Sequence, residues 1–161
     1  MSHSHSNDVF VGPGEQRTER APIIIEAGQE HAITGAHNGG VCVHESGSVV
    51  VTPTGIHNGS LCVERGARAT IRGTHNGSID VRFGGYVEIF GRQNGSITVE
   101  RGGVLRVAER AVAAGSLHIE GRFENAGTRG GSVSGSGDII DLPGAVVKQP
   151  TIRNGISYYS F

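Results

Sequence analysis

Cys42 and Cys62 sit in the middle of two matching triplets, Val41-Cys42-Val43 and Leu61-Cys62-Val63, and each triplet is followed by a second ligating side chain, His44 or Glu64. If the triplets are strands one repeat apart in a parallel stack, the sulfurs lie on neighbours ~4.8 Å apart, within disulfide reach. Two thiolates with an imidazole and a carboxylate also suit a thiophilic metal ion. The spacing lacks a Cys-x-x-Cys loop, and cytosolic thiols stay reduced, so the expectation is a pair of reduced cysteines and no metal. A second group recurs with the same rhythm: His37, His57, His75 and Gln93 form one column, and Asn38, Asn58, Asn76 and Asn94 form the column beside it. Imidazoles on successive turns could share zinc or stack on one another. Gln93 replaces the ring without disturbing its copy, and no carboxylate recurs to orient the rings, so stacked structural histidines at a corner are expected. Carboxamides carry both donors and an acceptor, so the asparagines are expected to form a structural ladder from turn to turn. His3 and His5 lie in a polar stretch without a structured third ligand and read as solvated.

Catalytic constellations are missing from this reading. There is no Ser-His-Asp order, no acid pair at catalytic spacing and no P-loop, and Gly84-Gly85 and Gly102-Gly103 read as turns between strands with no helix following to bind phosphate. The chain is therefore expected to be a non-enzyme without a cofactor.

Behind these residues stands a repeat. The asparagine position returns at 38, 58, 76 and 94, with a worn copy at Ala113-Ala114-Gly115. Each copy runs into an apolar alternation: Val41/Val43, Leu61/Val63, Ile79/Val81, Ile97/Val99 and Leu117/Ile119. A second alternating pair follows, as in Val49/Val51 and Val87/Ile89. Two short strand signals per period, separated by Gly-rich turns, predict an all-β fold: a single-stranded parallel β-helix (β-solenoid) with 18–20 residues per turn. A strand with two inward side chains cannot bury them alone, whereas stacked copies build a continuous core.

Composition narrows the partners. The chain has 161 residues, 27 glycines, no Trp and a net charge of -1, so no basic stripe suggests nucleic acid. No apolar run is long enough for a transmembrane segment, and no secretory layout opens the chain, which leads to the expectation of a cytoplasmic protein. Residues 1–21 are polar and aperiodic and read as a disordered N-terminal tail, with 22–161 as the solenoid. Its first strand, Ile23, Ile24 and Ile25, and its terminal aromatics, Tyr158, Tyr159 and Phe161, are the candidates for assembly or for capping. After Glu120 the register weakens into irregular turns, and Asn154-Gly155-Ile156 reads as a revived corner.

The stretch Gly73-Thr74-His75-Asn76-Gly77-Ser78-Ile79-Asp80-Val81 through Gly91, and again Gly95-Ser96-Ile97-Thr98-Val99 to Val107, resembles the bactofilins. The resemblance covers residues 23 to 156. It implies a right-handed triangular β-helix from a family of polymer-forming cytoskeletal proteins, which assemble without nucleotide through their terminal turns. The leading expectation is a structural scaffold that self-assembles end to end, with itself as partner. The alternative is a capped β-solenoid, such as an immunity or inhibitor protein, presenting a flat face to a partner protein. A β-helical polysaccharide lyase or a left-handed hexapeptide acyltransferase stands well behind both.

Overall fold

The computed structural model describes residues 8–11 and 17–161. From Ile23 onward the backbone winds through seven coils, and each coil gives one strand to each of three parallel sheets. The first sheet runs from Ile23–Ile25 to Val133–Ser134, the second from Glu30–Ile33 to Asp138–Asp141, and the third from Ala36–Asn38 to Val146–Val147. The described residues contain no helix, and so none long and apolar enough to cross a membrane. The all-β parallel solenoid read from the sequence is the fold.

Register is strict. Val41 pairs with Leu61, Leu61 with Ile79, Ile79 with Ile97, and Ile97 with Leu117. In the second sheet Val49, Ala69, Val87, Leu105 and Phe123 follow one another in the same way. All of these side chains are buried at 0–2% exposure and form one continuous apolar core. Burying a Val, Leu or Ile stabilises the fold by about 1.5–3 kcal/mol each, and here every copy is covered by the copies before and after it.

The structure corrects the repeat in one respect: each coil has three strands, not two. The residues read as a corner, such as Ile56-His57-Asn58 and Thr74-His75-Asn76, are the third strand. It has three residues and points a single side chain inward, so it carries no apolar alternation that could announce it. The longer repeats take their two extra residues where the second sheet turns into the third. Thr52-Pro53-Thr54-Gly55 fills this corner in one coil and Arg72-Gly73 in the next, yet Val51 still faces Ile71 and Ile56 still faces Thr74.

Two further readings change near the ends. Beyond Glu120 the parallel pairing continues through the seventh coil, with Phe123 on Ile139 and Arg129 on Val147. Asn154-Gly155 is not a corner of the solenoid; it turns an antiparallel hairpin between Thr151–Arg153 and Ile156–Tyr158. With φ of 50° and 75° at the two central residues, this is the Asn-Gly turn whose twist matches a two-residue hairpin. Within the stretch read as a tail, the backbone of Asp8–Val11 pairs antiparallel with Arg17–Arg20, which its aperiodic sequence did not announce. His3 and His5 lie outside the described residues.

Along the ladder, positive φ falls on the glycine after each asparagine, at Gly39, Gly59, Gly77 and Gly95, and not on the asparagine itself. At Gly95 φ is 138°, and a Cβ built there would stand 2.3 Å from the Gly77 carbonyl oxygen of the preceding coil. Gly66, at another corner with φ of 70°, has no neighbour nearer than 3.6 Å. Gly95→Ala therefore combines strain with a backbone clash and is expected to destabilise by about 3 kcal/mol, against about 1 kcal/mol for Gly66→Ala. Urea unfolding of both variants checks this; equal losses would show that coil-to-coil approach is not what fixes the glycine.

Candidate functional site

Three places in the fold gather polar or exposed apolar side chains in ways the core does not require. The first is the inner column of the third sheet. Parallel register brings His37, His57, His75 and Gln93 into line, followed by Ala113, Arg129 and Val147. His57, His75 and Gln93 are completely buried. The His37 and His57 rings stack with centroids 5.5 Å apart, and His57 and His75 are tilted at 4.7 Å. Hydrogen bonds fix the lower part of the column. The Gln93 carboxamide donates from Nε2 to the Gly77 carbonyl at 2.8 Å, which turns its Oε1 toward His75 Nδ1. Since Oε1 only accepts, His75 carries its hydrogen on Nδ1. His57 Nε2 likewise donates to the Gly39 carbonyl at 2.8 Å. The buried rings lie inside the coil, His57 bonded to the Gly39 carbonyl and His75 to the Gln93 side chain.

Beside them the expected amide ladder is present. Asn58 Nδ2 donates to Asn38 Oδ1 at 2.7 Å, and Asn76 to Asn58 and Asn94 to Asn76 at 2.8 Å each. Arg92 Nε closes the series on Asn94 Oδ1 at 2.9 Å.

The second place is the outer side of the first sheet. Val41↔Leu61 pairing sets Cys42 directly against Cys62, and Glu64 follows two residues along on the same side. The two sulfurs are thiols, not a disulfide, and their atoms and a Glu64 carboxylate oxygen all lie within 4.8 Å of one another. Cys42 donates a hydrogen bond to Cys62, which pushes the Cys42 thiol up and, with the Arg82 guanidinium, draws the Cys62 thiol below its ordinary value. Cys42 is 2% exposed, although strand alternation turns it away from the core. His44, by contrast, has its Nδ1 3.3 Å from Glu26 and does not join the cluster.

The third place is the C-terminal end. Here the interior turns polar: Arg129 binds Asp141 through Nε at 2.8 Å and Nη2 at 2.7 Å, and buried Asn125 donates to the same carboxylate at 2.9 Å. The Arg129 contact holds the Asp141 carboxyl below its usual range. Outside this plug, among the described residues, six of nine exposed large apolar side chains belong to the last coil and the hairpin: Val133, Val146, Ile152, Ile156, Tyr158 and Phe161. The terminal aromatics are divided in role. Tyr158 is exposed, while Tyr159 stacks on Phe161 at 6.5 Å, and the Phe161 ring lies over Gly130, where a Cβ would meet it at 2.6 Å. At the other end, Ile25 is buried in the core, Ile23 packs against it, and Ile24 is half-buried on the outer side. None of the three adds to an exposed apolar patch.

The chain matches no known protein-family model, no curated protein and no solved structure. The sequence reading missed Arg129, Asp141 and Asn125 as a set, because they lie in the coils where the repeat is worn. It also missed three cation–π pairs on the second sheet's flank, Arg65 over Phe83, Arg68 over Tyr86 and Arg72 over Phe90, at 6.0, 4.8 and 5.3 Å. Their common spacing of one coil was the signal that could have revealed them.

The buried column makes stability depend on pH. Burial, and then the neighbouring His57, lower the His75 pKa from 6.5 to about 4. The unfolded chain thus binds a proton that the fold refuses. The contribution is complete above pH 6.5 and is lost as pH falls toward 4, by about 2 kcal/mol at pH 5. His75→Gln, which copies the residue found at Gln93, is expected to flatten the fall in thermal midpoint between about pH 7.5 and pH 5. An identical fall in variant and parent would remove His75 as its source.

Proposed function

We propose that this protein is a non-enzymatic structural scaffold that self-assembles end to end through its solenoid termini, in the manner that its resemblance to the bactofilins implies. One observation carries the reading: the exposed apolar side chains gather at the C-terminal end, beside three strands, Val133–Ser134, Asp138–Asp141 and Val146–Val147, that among the described residues have a parallel neighbour on one side only. An unpaired strand presents a row of N–H and C=O groups that a second copy can complete, and an apolar rim adds burial to those hydrogen bonds. Repeating the contact at open ends gives a filament rather than a closed ring. The Arg129–Asp141–Asn125 plug limits the ways in which two ends can meet, since a misplaced partner would strip water from a charged pair without matching it.

A second reading is favoured by a different observation. The same plug, together with Phe161 folded over Gly130, gives the last coil features of a cap. On this reading the protein stays monomeric and offers a flat face to a partner protein, as an immunity or inhibitor protein would.

Sedimentation velocity over a wide concentration range, with negative-stain microscopy, separates the two. The parent is expected to grow with concentration into rods. The double variant Ile152→Asp/Tyr158→Asp, altered only at exposed positions, is expected to weaken association at least about tenfold while keeping its circular dichroism, as two lost apolar contacts would do. A parent that stays monomeric at every concentration overturns the scaffold and leaves the capped binding protein.

A further inference from the structure

The outer face of the first sheet holds a group of side chains that neither stacking nor assembly uses. Cys42 and Cys62 are opposed by register, and Glu64 shares their side of the sheet. We propose that Cys42, Cys62 and Glu64 bind one thiophilic divalent metal ion of the zinc class.

Geometry is the first support. Bonds of about 2.3 Å to sulfur and about 2.1 Å to oxygen in a tetrahedral site require ligand atoms about 3.5–3.8 Å apart. The three ligand atoms already lie within 4.8 Å of one another, so small side-chain rotations close the site without moving the backbone. That backbone is rigid: Leu61 N bonds Ser78 O at 2.8 Å and Glu64 N bonds Val43 O at 3.0 Å, so both strands and the residue after them are held.

Charge is the second. Two thiolates and a carboxylate around a divalent ion leave one net negative charge. Arg82 follows Glu64 by one coil, just after the strand Ile79–Val81 that pairs in register with the one carrying Cys62, and its buried Nε has no hydrogen-bond partner among the described residues. A guanidinium there offsets the excess and can donate to a bound thiolate. Shelter is the third. Cys42 is 2% exposed while Cys62 and Glu64 are half-buried, so the site has one sealed wall and one open side. A fourth position on that open side would be left to water, which is the arrangement of a site that exchanges a ligand rather than one closed for folding alone. Binding displaces the thiol protons to solvent, so affinity rises with pH.

The test is a cobalt(II) titration of the reduced full chain under anaerobic conditions. Expected are about one equivalent bound, a thiolate-to-cobalt charge-transfer band, and its loss on adding zinc(II). Cys62→Ser should abolish the band, and Glu64→Gln and Arg82→Gln should each weaken binding about tenfold or more with the band retained. Circular dichroism confirms that the variants fold, and Glu64→Gln and Arg82→Gln alter positions outside the core. No band from a chain whose two thiols both react with a thiol reagent after unfolding overturns the proposal. So does a band that survives Cys62→Ser. Formation of a Cys42–Cys62 disulfide in air at one rate with and without zinc(II) also overturns it, because a bound ion must shield its thiolates.

Discussion

Each coil hydrogen-bonds to the next in strict parallel register, and every other property of the molecule descends from that. A fixed rise of one strand spacing leaves no freedom in what faces what: the side chain at a given position meets its own copy above and below. For Val, Ile and Leu this is favourable without further conditions, and the columns from Val41 to Leu117 and from Val43 to Ile119 need nothing but apolar bulk. For polar residues the same rule is demanding. A buried polar side chain stacked on itself must find partners within the column or at the corner. Asparagine meets the demand because one amide end donates and the other accepts. Histidine meets it by turning a ring nitrogen to a corner carbonyl, as His57 does toward Gly39.

Like-on-like stacking also sets the chemistry of the outer surface. Identical charges one coil apart repel; the outer column alternates in sign from Glu64 through Arg82 to Glu100, and where Glu120 then follows Glu100 its carboxylate accepts hydrogen bonds from Ser136. Cysteine is the one reactive residue that appears in two successive copies, so register alone turns two ordinary positions into a pair. On the flank of the second sheet the same rule joins Arg68 to Tyr86 and Arg72 to Phe90. Such pairs arise without any local motif, since their members are a whole coil apart in the chain.

The readable part of the fold was the part that repeats with an apolar signature. The two alternating strands of each coil were legible from pairs such as Ile79/Val81 and Val87/Ile89, and their parallel register followed from the constancy of the period. The third strand was not legible as a strand, because Thr74-His75-Asn76 buries one polar ring and nothing apolar beside it. The amide ladder could be read from identity and spacing alone. The plug could not: Arg129 stands in the column of His57 and Gln93 only because the sixth coil is shortened at its corners, and no residue type in the sequence marks that shift. Asn154-Gly155 was misassigned for a related reason. Asn-Gly is both this repeat's corner signature and the commonest signature of a tight hairpin, and only the antiparallel partner decides between them.

The end of the asparagine column shows how the molecule departs from its own rule. Asn94 is followed at the same position by Ala114 and then Gly130, so the ladder loses first its amide and then its side chain altogether. The space opened at Gly130 is taken by Phe161, delivered by the hairpin that begins at Thr151. Any side chain at position 130 would expel the ring, since even a single added carbon meets it. Stepwise truncation of the column therefore trades recognition between coils for a seat that holds the chain terminus. In the same coils the interior passes from apolar residues to Arg129, Asn125 and Asp141. Two columns thus change character together, one at the corner and one inside, and a change confined to one end of a regular stack sets that end apart from the coils before it.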